Sequence, residues 1–259
     1  MSFRVVIPAR IGSTRLPGKP LRRLAGCTMI EHVWRRATES GAAEVLVATD
    51  DDGIRAAVER FGGRAEMTSP DHPSGTDRLA EVAARLGWPD DAVVVNLQGD
   101  EPCMDPAAVT RVARLLDAPE VAMATLAVPI TDPADLFDPA VVKVIVDVAG
   151  TARWFTRAPV PWVRNAFAPA TPPPPTLPPG IPFLRHLGLY AYRVGILRQL
   201  CATPPQPYEK AESLEQLRAL YMGIVIRIAV LDSDPGPGVD TEADLARAEL
   251  ELTRREPIR

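Results

Sequence analysis

Three cations are packed into the short segment Pro8-Ala-Arg-Ile-Gly-Ser-Thr-Arg-Leu-Pro-Gly-Lys-Pro-Leu21, directly after an apolar, β-branched run at residues 3–7. Arg10, Arg15 and Lys19 would repel one another without an anion between them. Gly12 and Gly18 let backbone N–H groups approach a ligand, while Pro17 and Pro20 restrain the loop. Concentrated positive charge at the carboxyl end of a first strand suits a polyphosphate, because ligands of open α/β sheets sit there. The bland alternative is a basic surface loop. A Walker A loop needs four residues between its glycines and Ser or Thr after the lysine, whereas here five separate Gly12 from Gly18 and Pro20 follows Lys19. No Gly-x-Gly-x-x-Gly fingerprint is present, which leaves NAD binding without support. A metal accompanying the phosphates must therefore be held by another part of the chain.

The first candidate is Asp100, in Gln98-Gly-Asp-Glu-Pro102, beyond a continuous apolar run at residues 93–97. A carboxylate there, beside a glycine, is placed to hold hydrated Mg²⁺ and, through it, a phosphate oxygen. Asp100 could instead cap the next helix, but Asp105-Pro106 already supplies that start. Other polar residues carry two readings each. Ser74 or Thr76 can be a plain N-cap. Arg157 can pair with a surface acid, and His186 can be core or ligand. Glu215 and Gln216 can be the solvated face of a helix. Asp240 can be a helix approach before Thr241, with Asp244 completing a capping box.

The elements that must position these groups are read from periodicity. Thr28 and Glu31 form an expected capping box for a helix stopping at Gly41, followed by a strand at 44–49 and a helix ending at Gly62-Gly63. A helix follows Asp71-His-Pro-Ser-Gly-Thr-Asp-Arg78, and strands are expected at 93–97 and 121–128. Residues 141–148 and 152–156 read as a hairpin turning at Gly150, and 183–193 and 224–230 as later strands. One amphipathic helix is expected at 209–221, and another ends the chain. Alternating strands and helices predict a doubly wound, mostly parallel Rossmann-like α/β sheet, with a small antiparallel β lobe around residues 140–193 inside a single domain, 1–259. Residues 168–182 contain eight prolines and read as a stiff polyproline-like spacer rather than helix or central strand.

Composition narrows the function classes. A net charge of −4 and 24% charged residues argue against a nucleic-acid binder, so the cations of the first loop act locally. Three scattered cysteines fit a reducing compartment and offer no zinc spacing. No apolar stretch approaches the ~18 residues that span a bilayer, and no apolar signal core opens the chain. The expected setting is the cytoplasm, away from membranes. Lysine is rare among the 29 basic residues, which draws some attention to Lys19 as a compact point charge.

The first loop resembles the signature of the nucleotidyltransferases that activate sugars. The whole set of motifs is similar to the family of 3-deoxy-manno-octulosonate (Kdo) cytidylyltransferases. That resemblance implies CTP on Arg10, Ser13, Arg15 and Lys19, with Ser74, Gly75 and Arg78 of His-x-Ser-Gly-Thr-Asp-Arg beside the base. It implies Mg²⁺ on Asp100 and on Asp240 of Val-Asp-Thr-x-x-Asp-Leu, and catalysis by Arg10, Lys19 and the two aspartates. Gln98, His186 of Arg-His-Leu-Gly-Leu-Tyr, and Glu215 and Gln216 of Leu-Glu-Gln-Leu-Arg would face the acid sugar. Arg157 would grip its carboxylate, although Thr156 and Val160 replace the family's serine and isoleucine. The implied reaction transfers CMP to the anomeric hydroxyl of Kdo for lipopolysaccharide assembly. The motifs favour Kdo over sialic acid, while 8-amino-Kdo remains open as acceptor. A homodimer is implied, with the hairpin around 142–155 as its expected interface. A non-catalytic CTP sensor signalling through the proline-rich insert is the alternative of another class.

Overall fold

The apolar run after the amino terminus becomes β1 (Phe3–Ala9), buried along nearly its whole length at the middle of the main sheet. The computed structural model describes residues 2–12, 15–167 and 174–255. A two-stranded ribbon, β2 (Arg23–Leu24) and β3 (Cys27–Thr28), leads into α1 (Met29–Glu39), followed by β4 (Glu44–Thr49), α2 (Asp52–Arg60) and β5 (Arg64–Met67). Next come α3 (Gly75–Arg85), β6 (Val93–Asn96), α4 (Pro106–Arg114), β7 (Met123–Pro129) and α5 (Pro133–Phe137). A hairpin, β8 (Lys143–Val146) and β9 (Ala152–Thr156), precedes the long β10 (Leu184–Arg193). The chain closes with α6 (Val194–Ala202), α7 (Pro207–Glu212), α8 (Gln216–Tyr221), β11 (Ile226–Val230) and α9 (Glu242–Arg255).

The strand order is β11-β7-β10-β6-β1-β4-β5. β4, β5, β6 and β1 run parallel, as do β7 and β11, whereas β10 is antiparallel to both β6 and β7. The alternation of a strand sends successive side chains to opposite faces. Val5 and Ile7 accordingly pack with Ile30, Val33, Ile54 and Val109 of α1, α2 and α4, while Val6 packs with Leu79, Val82, Leu197 and Leu217 of α3, α6 and α8. The fold is thus the expected doubly wound, mostly parallel α/β type with a small antiparallel hairpin at its side. A third cluster joins Leu16, Leu24, Met29, Cys103, Val239, Ala248 and Leu252, and so seats the loop after β1 on α9.

Two local expectations are corrected. Thr28 precedes α1 but makes no capping hydrogen bond, and Glu31 pairs with Arg35 at 2.6 Å, so the capping box is absent. The single helix expected at 209–221 is two short ones, because Ser213 takes a left-handed conformation (φ 52°) between α7 and α8. Apolar spacing continues across that break, and spacing carries no information about the sign of φ. The helices α5 and α6 were not anticipated. The proline-rich expectation falls partly on residues 168–173, outside the described residues, and 174–182 form no helix or strand.

Candidate active site

The loop after β1 turns at Gly18, whose φ of 65° favours glycine, and then enters a single 3₁₀ turn at Lys19–Leu21 with Pro20 near its start. Leu16 is fully buried and pins the loop, which aims Lys19 inward. The Lys19 ammonium donates to Asp100 Oδ2 at 2.7 Å, to Asp240 Oδ1 at 3.0 Å and to the Val239 carbonyl at 2.9 Å. Burial alone would lower the lysine's pKa, but Asp100 and Asp240 outweigh it and hold the pKa above its usual value. Arg15 reaches Asp240 at 3.1 Å.

Close backbone approach brings the next two motifs against β1. A Cβ on Gly99 would lie 2.8 Å from the Pro8 carbonyl oxygen, and one on Gly75 would lie 3.0 Å from Pro8 Cγ. Gly99 therefore requires glycine for contact rather than for backbone angle, and at Gly75 a Cβ would press on the Pro8 ring. Ser74 is the N-cap of α3, accepting from the Asp77 N–H at 3.2 Å and donating to Asp77 Oδ2 at 2.7 Å. Arg78 is buried one turn later, bonded to Asp50 at 3.1 Å and to Thr68. Asp240 precedes α9, where Asp244 accepts from the N–H groups of Asp240 and Thr241, the capping box read from sequence.

Arg10, Arg15, Lys19, Ser74, Gly75, Arg78, Gln98, Asp100 and Asp240 consequently line one cavity of about 290 Å³. Ser13 lies outside the described residues. A second cavity of about 800 Å³ takes Gln98, His186, Glu215 and Gln216. Ser74, Gly75, Gln98 and Asp240 belong to both, so the two spaces meet along that line. The break at Ser213 presents Gln216 at the start of α8, where it is buried against the second cavity rather than solvated.

Within the second cavity His186 contacts Thr125 at 3.2 Å and packs its ring against Phe155 and Tyr190. Burial pushes its pKa down to about 3, so the imidazole there is neutral at physiological pH. The sequence reading missed Asn96, Glu101, Arg185 and Tyr190, which also line this cavity. Asn96 accepts from Gln98 Nε2 at 3.2 Å. Glu101 is pushed up to about 8 by burial and by the neighbouring carboxylates of Asp100 and Asp234. Arg185 pairs with Asp234, which lines the same cavity. A polar Asn96 ending an otherwise apolar strand was the available signal.

Arg157 is the exception among the sequence-derived residues. It lines neither cavity. Its Nε donates to the Glu212 carbonyl at 2.7 Å and its Nη1 to the Pro139 carbonyl at 2.8 Å. Two of its donors are thus held by backbone carbonyls.

Asp100 and Asp240 offer hard oxygen donors on one side of the first cavity. Among the described residues no group of three metal-ligating side chains exists. Two carboxylates without a third fit a magnesium ion that keeps waters and takes phosphate oxygens, rather than an all-protein cage.

A family model described as Cytidylyltransferase matches residues 4–228, which takes in the first loop, both glycine contacts and the residues of the second cavity up to Gln216. The chain belongs to the cytidylyltransferase family. This cytidylyltransferase is 55% identical over 253 residues to the 3-deoxy-manno-octulosonate cytidylyltransferase of Halorhodospira halophila, covering 94% of each chain. It is 53% identical over 249 residues to the protein of the same name from Marinobacter nauticus, covering 95% of each. A solved structure described as a CMP:2-keto-3-deoxy-manno-octonic acid synthetase complexed with CTP superposes with a TM-score of 0.89 at 42% identity, over 99% of this chain and 100% of that one. A nucleotidyl transferase from Methanothermobacter thermautotroptrophicus, at 15% identity and a TM-score of 0.59, shares the fold alone.

Proposed function

We propose that this cytidylyltransferase transfers CMP from CTP to the anomeric hydroxyl of Kdo, forming CMP-Kdo and pyrophosphate. The observation that carries the reading is the junction of the two cavities at Ser74, Gly75, Gln98 and Asp240. A nucleotide in the first and an acid sugar in the second are thereby held with reacting groups adjacent. Such positioning converts a bimolecular step into a nearly unimolecular one.

Arg10, Arg15 and Lys19 neutralise the triphosphate, and Ser74, Gly75 and Arg78 border the base. Gln98, Glu215, Gln216 and the neutral His186 hydrogen-bond the acceptor's hydroxyls. The anomeric hydroxyl gives up its proton to solvent as its oxygen bonds to the α-phosphorus and the α–β phosphoanhydride breaks, and the loop cations stabilise the leaving pyrophosphate. Mg²⁺, when held by Asp100 and Asp240, adds charge stabilisation at the phosphates.

We further assign the reaction to lipopolysaccharide assembly in the cytoplasm, by a homodimer that joins through the β8–β9 hairpin. Trp154 on that hairpin is partly exposed against the exposed Tyr208. Among the described residues no helix is long and apolar enough to cross a membrane. The deciding assay is pyrophosphate release from CTP and Mg²⁺ with Kdo, run beside 8-amino-Kdo and sialic acid. Fastest turnover with Kdo is expected. Fastest turnover with another acid overturns the acceptor assignment, and CTP binding without turnover on any of them makes the chain a sensor.

A further inference from the structure

Two stretches of chain far apart in sequence line the acceptor cavity. Ala140, Val141 and Val142 supply one wall, and Leu214, Glu215 and Gln216 supply another. Neither wall lies in a strand of the main sheet: the first is tied to it where the Val142 carbonyl accepts from the His186 N–H of β10 at 2.8 Å, and the second must be tied to the first. Arg157 touches both, donating to the Pro139 carbonyl just before the first wall and to the Glu212 carbonyl just before the second.

Glu212 completes this connection from the other side. Its Oε1 accepts from the Thr156 hydroxyl at 2.7 Å and its Oε2 from the Arg157 N–H at 2.7 Å. Both carboxylate oxygens and the backbone carbonyl of one residue are thus committed to Thr156 and Arg157 at the end of β9. The residue after Glu212 is the left-handed Ser213, which directs the chain into Glu215 and Gln216. Lys143, fully buried at the foot of the same hairpin, donates to the carbonyls of Asp138 and Val141 at 2.9 and 2.6 Å and braces the first wall independently.

We infer that Glu212 is a positioning residue for the acceptor: through Thr156 and Arg157 it forms a strut that sets the separation of the two walls and the placement of Glu215 and Gln216. Its effect on the reaction rests on the function proposed above. Hydrogen bonds to a charged carboxylate are worth more than neutral ones, and losing the carboxylate takes away the acceptor of the Arg157 backbone N–H and of the Thr156 O–H, whose oxygen still accepts from the Ala158 N–H. The strut touches nothing in the phosphate cavity. The acceptor therefore feels its loss and the nucleotide does not.

The test compares Glu212→Ala and Glu212→Gln with the wild type. Pyrophosphate release is measured against Kdo concentration at saturating CTP, CTP binding is measured by calorimetry, and amide hydrogen exchange is measured on each protein. The expected result is an acceptor KM raised about tenfold in Glu212→Ala. A smaller rise is expected in Glu212→Gln, which keeps one acceptor oxygen, with kcat and CTP affinity within about threefold of wild type. The amides of Leu214, Leu217 and Arg218 should exchange faster, while those of residues 15–24 should not. An unchanged KM, or CTP affinity lost in proportion to KM, overturns the inference. If Glu212→Ala does not fold, Thr156→Val removes one of the two carboxylate contacts, and an acceptor KM equal to wild type overturns it there. If the wild type does not turn over Kdo, the proposed function fails. The exchange measurement then decides the strut by itself.

Discussion

Asp100 and Asp240, which follow two elements far apart in the chain, share a single ammonium: Lys19 lies 2.7 Å from the first and 3.0 Å from the second. The lysine holds together two carboxylates that would otherwise repel, before any phosphate arrives. One ammonium offsets one of the two negative charges and Arg15, 3.1 Å from Asp240, supplies a second cation, a set of pairings that must be redistributed when a polyanion and its cation enter.

Replacing either aspartate should expose its share of the work. Asp100→Asn and Asp240→Asn are each expected to fold, because both side chains are partly exposed. Each should lower kcat by about 10²–10³-fold, the scale of losing one preorganised electrostatic contact. Pyrophosphate release across a magnesium titration checks this. Full activity of Asp100→Asn at saturating magnesium would remove Asp100 from the metal assignment.

Lys19 gives a prediction at high pH. Its folded pKa is raised above 10.5, burial being outweighed by the two aspartates. The folded chain therefore keeps this proton more tightly than the unfolded one. That contribution to stability is complete below 10.5 and is lost as pH rises through the higher folded value. Urea midpoints of wild type and Lys19→Met, followed from neutral pH to above 10.5, should converge at the alkaline end.

His186 gives the opposite window. Its pKa falls from 6.5 to about 3 through burial, so the unfolded chain takes up a proton that the folded ring refuses. The contribution is intact above 6.5 and is lost as pH falls from there toward about 3. His186→Gln should flatten that part of the stability curve. Proton NMR of the His186 ring should show no inflection near 6.5, and an inflection there would contradict the neutral imidazole.

Gly99→Ala tests the packing that sets the site. A Cβ 2.8 Å from the Pro8 carbonyl oxygen forces β1 and the Gln98–Asp100 turn apart. A loss of about 1–3 kcal/mol is expected, together with weaker CTP binding. Gly188→Ala, where a Cβ meets nothing within 4 Å, is the control and should leave the melting temperature nearly unchanged.

Much of the fold was legible because it depends on local repetition. Val5, Val6 and Ile7 announce a strand buried on both faces, and Leu79 and Val82 a helix beneath it. The phosphate loop was legible for a related reason, since its three cations and its glycines are neighbours in sequence. The meeting of Asp100 with Asp240 was not visible in any spacing and came only through family resemblance. Ser213 was missed because a helix periodicity survives one left-handed residue. The contacts of Arg157 were illegible for a similar reason: its partners, Glu212 and Pro139, are set by tertiary structure and lie far along the chain in both directions. Motifs indicate which side chains matter, whereas where a long arginine ends is decided by the carbonyls it finds.

The antiparallel β10 has a bearing on synthesis of the chain. It inserts between β6 and β7, both of which precede it, so β6 keeps an unpaired edge until residues 184–193 have been translated. The nascent nucleotide half can assemble around β1 early, with Val93 to Asn96 exposing a flat, apolar margin to neighbouring chains. Closing that margin brings His186 and Tyr190 to the acceptor cavity. Protection from aggregation and completion of the sugar-binding side therefore arrive with the same ten residues.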